Sequence, residues 1–230
     1  MNKLTAIKAA VLGAAVLGLA ACGDDDDPVV TTAEYMLTVH NNTAAQPFSP
    51  VLAALHNDSA MLWQLGQPAS VALEVMAEGG DNSQLMTALA DQYAVASTEM
   101  VLMPGNSNEL SLQAELKSGL LLSVATMLVN TNDAFTGVMQ IDVSGLEVGE
   151  SMQLNLPIYD AGTEFNSEAA GSIPGPADGG EGYNAARDDV ADAVSRHPGV
   201  VSQADDADSV LLPQHRINNR AGSVVVTRIN

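Results

Sequence analysis

Asp133, Asp160 and Glu164 are the acids of this chain whose setting points to chemistry, and Cys22 is its sole thiol. The three acids lie in loops that follow apparent β-strands. If the strands run antiparallel, those loops fall at one edge of a sheet. Three convergent carboxylates repel one another unless something positive lies between them. A hard cation with oxygen preference fills that role most simply, and calcium accepts irregular loops better than magnesium does. Zinc is disfavoured because no histidine or cysteine lies near these positions. Calcium prefers about six to eight oxygens. Backbone carbonyls of the 130–135 and 160–164 loops, the side chains of Thr131, Asn132 and Thr163, and water would complete the shell. Gly162 permits the tight turn this needs. Two other readings stay open. The acids could simply receive backbone amides and solvent, giving a structural protein without metal. Asp160 and Glu164 could also act as acid and base on a glycan. No serine sits in a nucleophile-elbow pattern, so the chain is read as a binding module, not an enzyme.

The positioning elements are three strands predicted over 120–129, 136–143 and 151–158. Short connections make them antiparallel neighbours, which returns the third strand to the end of the sheet where the first finished. Period-two patterning also predicts strands over 34–40 and 109–117, and SVVVTRI over 223–229 closes the chain. PASVALEVMAE, 68–78, and SQLMTALA, 83–90, are predicted as short helices, the first ended by Gly79-Gly80 and the second capped by Asp81 or Asn82. Pro47 and Pro50 disfavour a regular element around Phe48. Six or seven strands with two short helices predict an all-β dominated antiparallel β-sandwich, with the helices in connections. Residues 169–186 read as a long surface loop. Its GPADGGEGY lacks the pattern of a phosphate loop. Asp188, Asp189, Asp192, Asp205, Asp206 and Asp208 read as solvated surface.

Charge narrows the partners. The chain carries 28 acidic and 8 basic side chains, a formal net charge of −20. No basic patch is available to neutralise phosphates, which disfavours nucleic acid. Lys3 and Lys8 precede the apolar run AAVLGAAVLGLAA, and small residues close it before Cys22. That is the pattern of an export signal, too short to span a bilayer as a helix. Leu19-Ala20-Ala21-Cys22 resembles the lipobox of bacterial lipoproteins. The resemblance implies a leader over 1–21, lipidation of Cys22, and an acidic tether over 22–31 that holds the domain off the membrane. Gly23 after the cysteine implies outer-membrane sorting in a Gram-negative cell, facing the periplasm or the exterior. With no second cysteine, the exported domain relies on core packing and not on disulfides.

Over residues 32–229 the chain resembles the spondin N-terminal domain family. The matching pieces are NNTAAQPFSP, LGQPAS, AEGGD, VATMLVNTNDAFTG, PIYDAGTEFNSE, SIPGPADGGEG, HPGV and HRINNRAGSVVVTRI. The form with a lipobox and no accompanying modules resembles the family's bacterial branch. The resemblance implies a C2-like β-sandwich that binds calcium through Asp133, Asp160 and Glu164. Glu164 stands where the animal members have aspartate, one methylene shorter. The adhesion and matrix partners of the animal members are not carried over. A rigid sandwich that binds through its edge loops fits an adhesion or ligand-binding role, with an envelope or extracellular protein or a glycan as partner.

Mass analysis of the processed protein should find an acylated Cys22 at the amino terminus, and Cys22→Ala should abolish membrane association. An unmodified amino terminus would defeat the anchor.

Overall fold

The computed structural model describes residues 31–187 and 191–230. The leader, Cys22, the acidic tether up to residue 30, and Asp188 and Asp189 lie outside the described residues. The elements in order are β1 (Thr32–Asn41), β2 (Leu52–His56), α1 (Val71–Gly79), α2 (Ser83–Ala90), β3 (Ala94–Ser97), β4 (Ser107–Glu115), β5 (Leu121–Met127), β6 (Ala134–Asp142), β7 (Ser151–Asp160), the two-residue β8 (Ser195–Arg196), a 3-10 turn at Pro213–His215, and β9 (Arg220–Arg228).

Eight strands form one antiparallel path, β3-β2-β5-β6-β7-β9-β1-β4, with β8 attached to β7. The two end strands, β3 and β4, come alongside each other, so the path nearly closes into a barrel. The sequence predicts two facing sheets. What forms instead is continuous, because β7 carries the hydrogen bonds of both faces. Ser151–Leu156 of β7 pair with β9, the register shifts at Pro157, and Ile158–Asp160 pair with β6. Proline has no N–H for a ladder, so the strand changes partners there. Its free carbonyl accepts the Thr136 hydroxyl at 2.8 Å.

The interior is filled by one side of each strand. Tyr35, Leu37 and Val39 of β1, Leu122 and Val124 of β5, Leu156 and Ile158 of β7, and Val224 and Val226 of β9 are buried there together. The Tyr35 hydroxyl reaches the Val143 carbonyl at 3.0 Å, so this buried polar tip is satisfied. A second core lies outside the barrel wall, where α1 and α2 cover β2, β5 and β6. It comprises Leu52, Trp63, Leu73, Met76, Met127, Phe135 and Tyr159, among others. Strands covered on both faces lose their alternation. β2, LAALH, is buried at all five positions, which is why period-two reading does not find it.

The helices end as their sequences dictate. Ser70 Oγ accepts the Leu73 amide at 3.2 Å, and Gly80 takes the left-handed conformation (φ 72°) with its amide on the Met76 carbonyl. At α2 it is Asp81 that accepts the Ser83 amide, at 2.9 Å. Asn82 instead spends its amide on Pro50 O and Ser97 Oγ, tying the helix to the barrel.

Two glycines mark the tightest wall contacts, Gly137 and Gly222, and at Gly222 a Cβ would lie 2.0 Å from the His40 carbonyl oxygen. A Cβ at Gly137 in β6 would lie 2.0 Å from the Val124 carbonyl oxygen and 3.1 Å from the Trp63 ring. Gly137→Ala should therefore cost on the order of 3 kcal/mol in urea unfolding, the upper range for overpacking. Gly145→Ala, with nothing within 4 Å of its Cβ, should leave the midpoint unchanged. Equal midpoints for the two variants would contradict the contact.

Candidate functional site: an acid-rich loop junction

β6 and β7 bring the first two acids together. Ala134 pairs with Asp160 and Phe135 with Tyr159, and the Asp133 carbonyl accepts the Ala161 amide at 3.3 Å. Aromatic packing fixes that register from below. Phe135 and Tyr159 stack with centroids 5.2 Å apart, Trp63 packs against both, and the Arg196 guanidinium lies 4.5 Å from the Tyr159 centroid. Aromatic pairs of this kind contribute roughly 0.5–1.5 kcal/mol each beyond their burial.

Asp133 is fully buried. Its Oδ2 accepts the Thr163 amide at 2.9 Å and the Glu164 amide at 3.2 Å, with the Thr163 hydroxyl at 3.4 Å. The carboxylate thus anchors the loop after β7 to the loop after β5. Its other oxygen, Oδ1, is buried without a partner. Asp160 organises the next turn: Oδ1 accepts the Gly162 amide at 2.8 Å and Oδ2 the Asn166 side-chain amide at 2.5 Å. Gly162 is left-handed (φ 72°), and a Cβ there would meet the Ala193 carbonyl oxygen at 2.4 Å. The turn that the sequence assigns to this glycine is required twice over, by conformation and by space.

Of the side chains offered as further ligands, Thr131 closes its own loop, donating to Leu128 O at 2.6 Å and accepting the Ala134 amide at 3.1 Å. Asn132 is buried with both amide atoms unpartnered. Glu164 reaches Asp133 through its backbone, and its half-buried side chain lines a neighbouring cavity. Among the described residues, no three His, Cys, Asp or Glu side chains are grouped so as to hold a metal ion.

Other acids join from elements that the sequence reading did not connect to the site. Glu78, on the buried face of α1, accepts the Asn184 amide through Oε2 at 2.9 Å and leaves Oε1 unpartnered. Glu168 is fully buried, left-handed (φ 47°), and has neither carboxylate oxygen in a hydrogen bond. The Val201 amide approaches Glu168 without reaching hydrogen-bond geometry. His197 accepts the Gly199 amide on Nδ1 at 3.0 Å, while Nε2 is unpartnered. Glu74 and Glu78 lie four residues apart on α1, and both are buried. Arg187 neutralises Glu74 at 2.6 Å.

Burial dominates the electrostatics. It pushes the Asp133 carboxyl up to about 7, reinforced by the neighbouring Asp160 charge and opposed by the Thr163 and Glu164 amides. Burial likewise pushes Glu168 up to about 7 and raises Glu78. It lowers His197, with Asp160 opposing, and so favours the neutral imidazole. A proton is one counter-charge that this junction can accept.

The Spondin_N family model matches residues 37–174, and the chain belongs to that family. No protein among curated sequences matches it.

A raised carboxyl pKa means that the native state keeps a proton which the unfolded chain releases above about pH 4. The resulting stabilisation is full below that value and is lost as pH rises towards 7. Urea midpoints should therefore fall between pH 5 and 8, and Asp133→Asn, which mimics the protonated carboxyl, should flatten the slope. Parallel profiles for the wild type and the variant would contradict the assignment.

Proposed function

We propose that this member of the Spondin_N family is an exported binding or adhesion module, tethered to a bacterial envelope through acylated Cys22. Its acidic end is a hydrogen-bonded structural junction with no resident metal. The observation that carries the metal-free reading is the Asp133 carboxylate, whose Oδ2 is occupied by two backbone amides of the opposite loop. A carboxylate used this way fixes loops on a rigid wall, and such loops commonly carry binding surfaces. The division of the barrel by β7 into two faces is compatible with the C2-like sandwich that the sequence resemblance implies. The described residues contain no helix long and apolar enough to cross a membrane, in keeping with attachment through a lipid. In this reading the chain binds and does not catalyse, and Asp160, engaged with Gly162 and Asn166, serves the loop and not a substrate.

Calcium is the second reading, favoured by the unpartnered Oδ1 of Asp133 and the unpartnered amide oxygen of Asn132. With Asp160 and Glu164, these residues would hold the ion and draw the two loops together. Two free oxygens leave at least about four to come from groups already engaged, from backbone carbonyls and from water.

Thermal unfolding of the mature domain separates the two. A ligand bound only by the native state must raise the melting temperature. Millimolar calcium added to chelator-treated protein should leave it unchanged. A rise that disappears in the Asp133→Ala, Asp160→Ala double variant would overturn the metal-free reading in favour of calcium.

A further inference from the structure

We propose that the cavity beside this junction is a binding site for the hydroxyl groups of a single neutral sugar ring. The proposal rests on the reading of the chain as a binding module and names the ligand class of one surface. The cavity measures about 240 Å³ and is lined by Asn132, Glu164, Ser172, Glu181, Gly182 and Asn184, with the backbone around Gly171. It is smaller than the about 300–1,000 Å³ of drug-sized clefts, a size that suits one ring and not an extended chain.

Asn132 determines the chemistry. It is 3% exposed and lines the cavity, and both its amide oxygen and its amide nitrogen are buried without a partner. No protein hydrogen bond has to break for that amide to turn into the cavity. A cation would satisfy the oxygen and leave two N–H donors bare. A hydroxyl both donates and accepts, so adjacent sugar hydroxyls satisfy both atoms. Glu181 adds carboxylate oxygens, which accept further hydroxyl protons in charge-assisted bonds.

Two exposed aromatic residues adjoin lining residues in the chain and would supply the apolar half of a sugar site. Tyr183 follows the lining residue Gly182 and is 40% exposed, and Phe165 follows Glu164 and is 61% exposed. A pyranose presents C–H groups on one face and hydroxyls around its edge, which an aromatic ring beside a polar pocket accommodates. The walls are already fixed. The Gly171 amide donates to Asp178 Oδ2 at 2.7 Å, the Glu181 amide to Gly171 O at 2.8 Å, and the Asn184 amide to Glu78 Oε2 at 2.9 Å. Binding in a preformed site loses little to loop ordering.

The test titrates the mature domain, in calcium-free buffer, with the methyl glycosides of glucose, galactose, mannose and N-acetylglucosamine, followed by proton–nitrogen NMR. At least one should bind with Kd on the order of 1 mM, shifting the Asn132 side-chain amide and its neighbours. Asn132→Ala and Tyr183→Ala should each weaken it about tenfold, the loss of one hydrogen bond or one stacking face. Glu181→Gln, which keeps an acceptor and removes the charge, should retain binding. Absence of binding by all four, or full binding in Asn132→Ala with its fold intact, overturns the site. So does a response to methylguanidinium in place of the glycosides. These failures leave the binding-module reading standing. Release of methanol from a bound glycoside in the same tube would instead overturn that reading and make the chain a hydrolase.

Discussion

The Asp133 carboxylate, buried at the end of the barrel and capped by the Thr163 and Glu164 amides, is the constraint on which this end of the molecule depends. An amide buried in a loop must find an acceptor, because leaving it unpaired costs on the order of 1–3 kcal/mol. Asp133 meets that requirement for two consecutive residues and so folds the loop after β7 back over the loop after β5. The rest follows from that contact. Gly162 must take a conformation and an approach that exclude a side chain, Asp160 is placed to receive Asn166, and the chain beyond returns past Gly182 to Glu78 on α1. Beneath it, the Phe135–Tyr159 stack and the change of partner at Pro157 set which residues of β6 and β7 face each other.

The same arrangement concentrates negative charge where the chain offers little to balance it. Arg187 is taken by Glu74 and Asp192, and Arg216 by Asp205. Among the described residues no ion pair reaches Asp133, Asp160 or Glu168. Buried carboxyls in this position take a proton, a metal or a hydrogen-bonding ligand. Burial raises Asp133 and Glu168 far enough for the proton to suffice near neutrality. The amide of Asn132, next to Asp133 in the chain, is likewise buried without a partner.

How much of this the sequence discloses depends on how many faces of each element are covered. β1 and β4 have one solvated face, and their alternation places them to within about two residues. β5 is read as a central strand from its dense apolar run, and it is indeed covered by the barrel interior on one side and the helices on the other. β2 and β3 escape notice. β2 is apolar up to His56 and is preceded closely by Pro47 and Pro50, and β3 is a four-residue strand at the end of the path. Antiparallel reversals suffice to bring Asp133 beside Asp160, because short loops leave the chain no other path. They do not disclose that the closed path would make a barrel, since that depends on β7 dividing its hydrogen bonds between two partners. Nor could spacing reveal Glu78 and Glu168, which arrive through α1 and a loop whose course is set by tertiary contacts.

Family membership and geometry leave a single physical question at the centre: what balances the charge between Asp133 and Asp160. A crystal structure of the mature domain grown with calcium answers it most directly. The metal-free account predicts Asp133 Oδ2 still bound to the Thr163 and Glu164 amides, with no ion between the two aspartates. An ion held there by six or more oxygens at about 2.3–2.6 Å, Asp133 and Asp160 among them, would contradict it.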